Sequence, residues 1–430
     1  MTGPERSPDV TRLGLDFAHR MERVGPSAIR ELLILGADPS IVSFGGGYPD
    51  PALFPLHDLQ TIFTELLVPE NVEALQYTAS IGLPELRAQI AGRMTQGGTP
   101  TSSDDVLVVQ GGQQGLDLSA KLMINPGDTI ITENPTFLGA LIAFNPYQPQ
   151  YAAVPIDADG MIISELERTL AANPRAKMIY TVPDFQNPTG VTLSEPRRRR
   201  LIELANHYGL LVVEDTPYRE LRYDGAHLPT LRSLDTEGRV VHLGSFSKIL
   251  APGLRLGWAV ADADVLDRLG LLKLAADTQS STLNMAATSA YLTRFDIDAH
   301  LARARAVYRR RRDLLLATLA ATFPAEVAYT YPEGGLFTWL TFPAGFDAAT
   351  FMKEEMLPKG QVAYVPGATF FPLLEETNHA RLSFSGVADE PLVRGITRLG
   401  ELLEAQFSRE ARRRPASRGP ASPVSVAAAR

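Results

Sequence analysis

The sequence predicts an α/β fold, with a mostly parallel sheet in a large domain and a smaller α+β domain. The chain has 430 residues, which is long enough for two domains with substantial cores. Hydrophobic residues make up 45% of it, a share typical of globular proteins. From about residue 70 to 280, apolar runs alternate with helix-like segments. That alternation predicts a parallel sheet covered by helices on both faces.

Seven apolar runs predict a seven-stranded sheet in the large domain. They lie at 106–109, 129–132, 151–154, 177–182, 210–214, 240–244 and 256–260. The run at 210–214 is uninterrupted and rich in branched residues, as is typical of a buried parallel strand. Beyond about residue 313 the rhythm changes, which indicates the smaller domain. Its predicted strands lie at 327–331, 336–340 and 381–384, and its predicted helices near 348–356 and 390–405.

The composition excludes several classes of protein and site. The absence of cysteine excludes disulfides, thiolate metal sites and a cysteine nucleophile. The seven histidines have no ligand-like spacing, so no metal is expected. A formal net charge of −8 argues against nucleic acid as a partner. No apolar stretch approaches the ~20 residues of a membrane span, and the polar first residues show no signal peptide. We therefore expect a cytoplasmic protein without a membrane partner.

Lys248 is the most informative residue for function. It follows the apolar run 239–243 and two small hydroxyl residues, Ser245 and Ser247, and Arg255 comes seven residues later. A lysine at the end of a buried strand can form a Schiff base with an aldehyde cofactor, because desolvation lowers the pKa of its amine. The two serines and the arginine could together hold a phosphate. Taken alone, the lysine could also be a solvated surface group.

Three upstream residues complete a candidate site for pyridoxal phosphate. Asn187 lies in the turn-like stretch 185–190, and Asp215 follows the predicted strand at 210–214 with Tyr218 close behind. An aspartate paired with the pyridine nitrogen keeps that nitrogen protonated, so the ring can accept electrons. The asparagine and the tyrosine hydroxyl can both hydrogen-bond the phenolic oxygen of the ring. A plain turn and a helix cap are the alternative interpretations of these residues.

Seven motifs in order make the chain resemble the class I and II aminotransferases, which are fold-type I pyridoxal phosphate enzymes. They lie at 43–49, 75–78, 111–117, 186–190, 214–215, 244–248 with Arg255, and 381–385. The chain is most similar to the group that holds α-aminoadipate, kynurenine and aromatic amino acid aminotransferases, from about Arg23 to Phe407. The resemblance implies a homodimer that moves the α-amino group of an L-amino acid to a 2-oxo acid, 2-oxoglutarate or pyruvate, by a ping-pong mechanism.

The resemblance also implies further contacts to the cofactor. Gly112 and Gln113, at the start of a predicted helix, would hold the phosphate with backbone N–H groups. The family usually has serine or alanine at the position of Gly112, so one hydroxyl contact is missing here. Phe137 matches the aromatic residue that stacks on the cofactor ring, where the family more often has tyrosine. Tyr77 matches a tyrosine that reaches across the dimer interface to the phosphate of the other subunit.

The remaining implied roles concern the substrate and the reaction. The implied substrate-binding residues are Arg381, Asn187, Gly45, Gly46, Tyr77 and Arg23. Arg381 would bind the α-carboxylate as a bidentate pair, Gly45 and Gly46 would leave room beside the substrate, and Arg23 would meet distal acidic groups. The catalytic residues would be Lys248, Asp215 and Tyr218, with the lysine as general acid and base.

The resemblance divides the chain into four parts. Residues 1–65 would join the small domain, 66–312 would form the large cofactor-binding domain, and 313–409 the small C-terminal domain. Residues 410–430, dominated by arginine, proline, serine and alanine, are predicted to be a disordered tail.

Three alternative functions stay open from the residues alone. The first is another pyridoxal phosphate reaction on the same scaffold, namely decarboxylation, elimination or oxidative deamination. The second is a transcription regulator that carries an aminotransferase-like domain. The third is a serine hydrolase, because 245–248 also satisfies the S-x-x-K pattern. The hydrolase lacks its companion motifs in this sequence.

Overall fold

The computed structural model describes residues 15–25, 38–373 and 376–413. In chain order the strands of these ranges are β1 (Val42–Ser43), β2 (Val106–Val109), β3 (Thr129–Asn134), β4 (Gln150–Asp157), β5 (Gly160–Met161), β6 (Met178–Thr181), β7 (Leu211–Asp215), β8 (Val240–Ser245), β9 (Gly257–Val260), β10 (Ala328–Tyr329), β11 (Phe337–Thr341), β12 (Val362–Ala363), β13 (Val365–Pro366) and β14 (His379–Ser383). None of the helices in the described ranges is long and apolar enough to cross a membrane.

The α-helices of the same ranges vary from one turn to seven. In chain order they are α1 (Leu56–Leu66), α2 (Pro84–Gln96), α3 (Gly112–Met123), α4 (Leu138–Phe144), α5 (Ile163–Ala172), α6 (Glu195–Tyr208), α7 (Leu231–Leu234), α8 (Ala263–Asp277), α9 (Thr282–Arg294), α10 (Ile297–Thr322), α11 (Ala348–Phe351) and α12 (Asp389–Arg413). A π-helical segment, Met352–Gly360, continues α11.

The largest sheet has the strand order β2-β9-β8-β7-β6-β3-β4-β5. The five strands β8, β7, β6, β3 and β4 run parallel to one another, whereas β9 is antiparallel to both of its neighbours. The predicted α/β class is therefore confirmed, and all seven predicted strands are present. The prediction missed β5, which makes the sheet eight-stranded. With two residues after a tight turn, that strand is too short to show a periodic pattern.

The alternation of side chains along each strand gives the sheet two apolar faces. It also decides on which face each polar residue at the end of a strand lies. On β7, Val213 belongs to the core that holds α3, whereas Val212 belongs to the core on the other face. Successive side chains of a strand point to opposite faces. Asp215 is therefore on the Val213 side of the sheet and Glu214 on the Val212 side. This alternation positions the carboxylate of Asp215 beside the start of α3.

A second, antiparallel sheet organises the C-terminal part, with the order β10-β11-β14-β13. The N-terminal strand β1 pairs with β12 in parallel, with Val42 opposite Val362. Helix α10 runs through residue 312, the predicted limit of the large domain. The two limits between the first three predicted parts, at 65/66 and 312/313, stay predictions.

The end of α12 corrects one predicted boundary. The disordered tail was predicted to begin at residue 410, but the helix continues to Arg413. The physical reason is that arginine and alanine are good helix formers, and the first proline comes at Pro415. Residues 414–430, which make up the rest of the predicted tail, lie outside the described residues.

Candidate active site

One cavity of about 600 Å³ gathers thirteen of the fifteen predicted site residues. It lies where the carboxyl ends of β7 and β8 meet the first turn of α3, the edge of a parallel sheet at which ligands usually bind. Its predicted lining residues are Gly45, Gly46, Gly112, Gln113, Phe137, Asn187, Asp215, Tyr218, Ser245, Ser247, Lys248, Arg255 and Arg381. The sequence motifs, spread over more than 330 positions, thus converge on a single cavity.

Lys248 lies in the turn that follows β8. Its Nζ donates a hydrogen bond to the carbonyl oxygen of Gly47, at 2.9 Å. Burial, followed by the positive charges of Arg381 and Arg255, lowers the pKa of the Lys248 amine to about 8. A sizeable share of this amine is therefore neutral near physiological pH, which a nucleophile or a general base requires.

Asp215 is the last residue of β7 and is buried. The Tyr180 hydroxyl donates a hydrogen bond to its Oδ2, at 3.0 Å. Burial raises the pKa of the Asp215 carboxyl to about 6, against the opposing effects of the Tyr180 hydrogen bond and of His242. At neutral pH the carboxylate is ionised, and it can pair with a protonated ring nitrogen in the cavity.

The turn before α3 is shaped to receive an anion. Gly111 caps the helix with φ +73°, a backbone conformation that residues other than glycine rarely adopt. A Cβ at this position would also lie 2.9 Å from Nη2 of Arg255. The first N–H groups of a helix have no intrahelical acceptor, and they attract negative charge. The arginine and the helix start therefore offer donors to the same side of the cavity. Nothing lies within 4 Å of a Cβ built on Gly112, so a serine would fit there.

A hydrogen-bonded network behind this turn fixes its backbone. Oε1 of Gln114 accepts from the N–H of Gln110, at 2.8 Å, and from Nζ of Lys273, at 3.1 Å. Asp277 closes the network: it accepts from Nε2 of Gln114, at 2.7 Å, and from the same ammonium group, at 2.9 Å. The Lys273 side chain is buried. A buried charge pair whose hydrogen bonds are satisfied has one preferred geometry, and it holds the residues that it contacts.

Arg381, on β14, lines the cavity. Its Nη1 donates to Oδ1 of Asn187, at 2.9 Å, and its Nη2 to the carbonyl oxygen of Gly45, at 2.7 Å. The guanidinium carbon lies 4.3 Å from the centre of the Phe337 ring. Burial lowers the pKa of the guanidinium to about 10, so the group stays charged at neutral pH. Its Nε is buried and has no partner among the described residues, which leaves a charged donor for a ligand.

Tyr218 and Asn187 form the adjoining wall. Nδ2 of Asn187 donates to the Tyr218 hydroxyl oxygen, at 3.2 Å. Burial raises the pKa of the phenol, which therefore stays neutral and keeps its own proton for donation. The ring meets Phe337 edge to face, at 5.5 Å between the ring centres.

Two predicted site residues do not line the cavity. The side chain of Tyr77 is exposed, with 80% of the residue accessible. Arg23 donates from Nη1 to the carbonyl oxygen of Pro149, at 2.8 Å. Of the two other arginines near Arg23, Arg20 lies in the same short helix, and Arg30 lies outside the described residues. The roles of Tyr77 and Arg23 stay predictions.

The structure adds four residues that the sequence did not single out. Gly47 accepts from Lys248, Tyr180 donates to Asp215, and the rings of Tyr48 and Phe337 line the cavity. A Cβ on Gly46 would lie 2.8 Å from the Tyr48 ring, so this glycine makes room for a tyrosine of its own chain. The motif at 43–49 contained the signal for Gly47 and Tyr48. Phe337 and Tyr180 had no local signal.

The side chains around the cavity fit pyridoxal phosphate. Arg255 and the start of α3 match the phosphate, and the carboxylate of Asp215 matches the pyridine nitrogen. The amine of Lys248 matches the aldehyde. The unpartnered Nε of Arg381 is left over for the carboxylate of a substrate.

Comparison with known proteins identifies the family. Residues 58–399 match the model of aminotransferase class I and II. Aromatic-amino-acid aminotransferase 1 of Thermococcus litoralis is 39% identical over 91% of this chain and 95% of its own length. The 2-aminoadipate transaminase of Thermus thermophilus is 37% identical over 90% of this chain and 96% of its own length. The crystal structure of Pyrococcus horikoshii kynurenine aminotransferase superposes with a TM-score of 0.87 at 38% identity, covering 91% of this chain and 97% of that one. The chain belongs to the class I and II aminotransferase family, as its motifs predicted.

Proposed function

We propose that this protein is a pyridoxal phosphate-dependent aminotransferase that moves the α-amino group of an L-amino acid to 2-oxoglutarate or pyruvate. The observation that carries the proposal is the placement of Lys248, Asp215 and Arg381 on one cavity. An amine of lowered pKa, a buried carboxylate and a buried guanidinium with a free donor are the three groups that transamination requires of the protein.

The cavity residues would hold the cofactor at both ends. Arg255, Ser245, Ser247 and the first N–H groups of α3 would bind its phosphate, and Asp215 would keep the ring nitrogen protonated. Asn187 and Tyr218 would donate to its phenolic oxygen, while Phe137 would stack on its ring. When bound, pyridoxal phosphate supplies an electron sink that stabilises negative charge at the substrate α-carbon.

Lys248 carries the proton of the reaction. Its neutral amine takes the proton that must leave the α-carbon of the amino acid. In the second half-reaction the same amine supplies a proton to the α-carbon of the acceptor. A pKa near 8 suits both directions at neutral pH, because neither protonation state is far from the other in free energy.

Arg381 orients the substrate by its α-carboxylate. The contacts to Asn187 and Gly45 hold the guanidinium plane, so the arginine loses little conformational freedom when a carboxylate binds. The carboxylate then fixes which face of the α-carbon meets Lys248.

The remaining lining favours amino acids with apolar or aromatic side chains. Leu116, Phe337, Val365 and the ring of Tyr48 face the cavity. In the described part of the chain, the cationic residues on its lining are the lysine and the two arginines that already have roles. None is left for a distal acidic group, for which Arg23 is the predicted partner from outside the cavity. The named relatives act on aromatic amino acids, 2-aminoadipate and kynurenine.

The proposal includes a homodimer. Exposed apolar side chains lie on two adjoining segments outside the cavity lining, and we call this the apolar patch: Val72, Leu75, Tyr77, Ile81, Leu271 and Leu274. A Cβ on Gly270 would lie 3.9 Å from Ile81, so the two segments of the patch adjoin. Exposed apolar patches of this kind mark protein interfaces, and a two-fold dimer would bury the same patch on both subunits.

A substrate panel tests the proposed function. The purified protein, loaded with pyridoxal phosphate, is incubated with L-amino acids, each with and without 2-oxoglutarate or pyruvate. We expect a new amino acid and a new 2-oxo acid only when both partners are present, with phenylalanine or leucine preferred over 2-aminoadipate as donor. Release of CO₂ or ammonia without an acceptor would instead indicate decarboxylation or elimination.

Lys248→Ala is the matched control for the panel. This variant should lose turnover and keep its fold by circular dichroism, and borohydride should fix the cofactor to Lys248 in the wild type only. Labelling of a different lysine, or near-normal activity of the variant, would exclude the proposed role of Lys248.

A further inference from the structure

We propose that Tyr180 is a positioning residue that holds the Asp215 carboxylate in place and keeps it ionised for the ring nitrogen of the cofactor. The inference rests on the proposed function, since it concerns the residue that would pair with that nitrogen. Tyr180 itself does not line the cavity, and no motif in the sequence singled it out.

The register of β6 and β7 places the tyrosine where its hydroxyl can reach the aspartate. Tyr180 is directly opposite Val213, so Asp215 is its diagonal neighbour two residues along β7. Diagonal neighbours on one face of a sheet are within reach of an aromatic side chain. The ring of Phe144 packs edge to face on Tyr180, at 5.4 Å, and restricts its rotation. The hydroxyl is thereby held 3.0 Å from Oδ2 of the aspartate.

Tyr180 is the only hydrogen-bond donor to the Asp215 side chain among the described residues. The other ionisable groups nearby are engaged elsewhere. Glu133 accepts from Thr181, Val182 and Gln186, and His242 contacts Glu214 and Thr216 on the far side of the sheet. Tyr218 contacts Asn187. Oδ2 is therefore tied to Tyr180, and the other carboxylate oxygen is left for the cavity.

A tyrosine suits this position because it donates without adding charge. Burial raises the pKa of the Tyr180 phenol well above its usual value, so the group is a neutral donor at every working pH. An arginine or lysine there would neutralise the carboxylate that the ring nitrogen needs. Among the groups that lower the pKa of Asp215, the Tyr180 hydrogen bond is the strongest. Without it, the pKa of the buried carboxyl would rise further, and the protonated acid would lack the negative charge that keeps the ring nitrogen protonated.

Tyr180→Phe tests the inference by removing the hydroxyl and keeping the ring. The dissociation constant of pyridoxal phosphate from the apoprotein should rise, and the pH below which binding is lost should move upward from that of the wild type. We expect kcat to fall about tenfold with little change in the amino acid KM, because one hydrogen bond to a charged group is lost. Tyr364→Phe is the matched control: it removes a buried phenolic hydrogen bond, to Ala348 at 2.7 Å, in the other sheet region.

A double-mutant cycle separates this inference from the proposed function. If Tyr180 acts through Asp215, Tyr180→Phe should add little to the loss already caused by Asp215→Asn. Full additivity, or a Tyr180→Phe protein with the pH profile and cofactor affinity of the Tyr364→Phe control, would overturn the positioning role. A harmless Asp215→Asn would instead contradict the proposed function itself.

Discussion

Two side chains of the cavity have pKa values shifted in opposite directions by the same cause. Burial disfavours the charged form of any group, so it lowers the pKa of the Lys248 amine and raises that of the Asp215 carboxyl. The window between about 6 and about 8 is where the carboxylate is ionised and the amine is becoming neutral. Transamination needs an ionised carboxylate and a neutral amine, so we expect cofactor binding to weaken as the pH falls through this window.

The lowered pKa of the Lys248 amine leads to a testable prediction for cofactor loading. When the apoprotein is mixed with pyridoxal phosphate, the visible band of the bound cofactor should appear faster as the pH rises, with a half-maximal rate near pH 8. Only the neutral amine reacts, and its share grows as the pH passes the pKa. Stopped-flow absorbance measures the rate.

Arg381→Gln should move this loading profile to higher pH, since the nearby positive charge helps to lower the pKa of the amine. Arg398→Gln removes a cation from the exposed surface of α12 and should leave the profile unchanged. If the rate instead became half-maximal only at about pH 10.4, which is the pKa of a solvated lysine, the Lys248 amine would not be desolvated.

At the scale of single residues, the sequence predicted those site residues whose role is indicated by their immediate neighbours in the chain. Lys248 and Arg255 belong to one short stretch, and Asp215 ends a recognisable strand, so pattern and chemistry together pointed to them. Tyr180 could not be found in that way. Its contact with Asp215 depends on the register between two strands and on a diagonal reach, neither of which leaves a mark in the sequence around it.

At the scale of elements, long apolar runs predicted the parallel strands, while short edge strands escaped notice. The observed β7 and β8 lie within one residue of their predicted limits, because buried parallel strands are uniformly apolar. Among the described strands, four of two residues that were not predicted, β1, β5, β12 and β13, show no period and depend on tertiary pairing alone. The π-helical segment after α11 contains Pro358, which interrupts regular α-helical hydrogen bonding.

The hydrogen-bonded network behind the first turn of α3 leads to a second prediction. Gln114→Ala removes the acceptor of the Gln110 N–H and opens the network with Lys273 and Asp277. The phosphate-binding turn should then lose its fixed geometry, and the dissociation constant of pyridoxal phosphate should rise about tenfold. Because no group of the reaction is removed, kcat at saturating cofactor should change little. Equilibrium titration of the apoprotein measures the affinity.

The control for this variant is Gln89→Ala on α2. Gln89 also forms side-chain hydrogen bonds, to Ser289 and Thr293, but none of them reaches the turn before α3. Its loss should leave cofactor affinity unchanged. Equal effects of the two variants on affinity would show that the network around Gln114 supports the fold in general and not the phosphate site.

At the scale of the whole molecule, Tyr77 connects the apolar patch with the predicted function of the cavity. Tyr77 lies on the patch and, in this one chain, away from the cavity that it was predicted to serve. Thr78 and Gln76, its neighbours, are tied to the segment after α8: the Thr78 N–H donates to Gln279, and the Gln76 carbonyl accepts from Thr282. These hydrogen bonds fix the backbone on both sides of Tyr77 while its side chain stays exposed. We expect a second copy of the chain to contact this side chain.

Subunit complementation tests this arrangement. A Lys248→Ala chain and a Tyr77→Ala chain are mixed under conditions that allow subunit exchange. If Tyr77 acts in the partner's site, one of the two sites in a mixed dimer collects both lesions, and the other regains Lys248 and Tyr77 together. Activity should then rise above that of either parent, towards half of the wild-type activity per mixed dimer. As a control for dimer formation, the Lys248→Ala chain is mixed with a Leu373→Ala chain in place of the Tyr77→Ala chain. Leu373 is an exposed apolar residue outside the apolar patch. A verified mixed dimer without any gain would place Tyr77 in the site of its own subunit or in none.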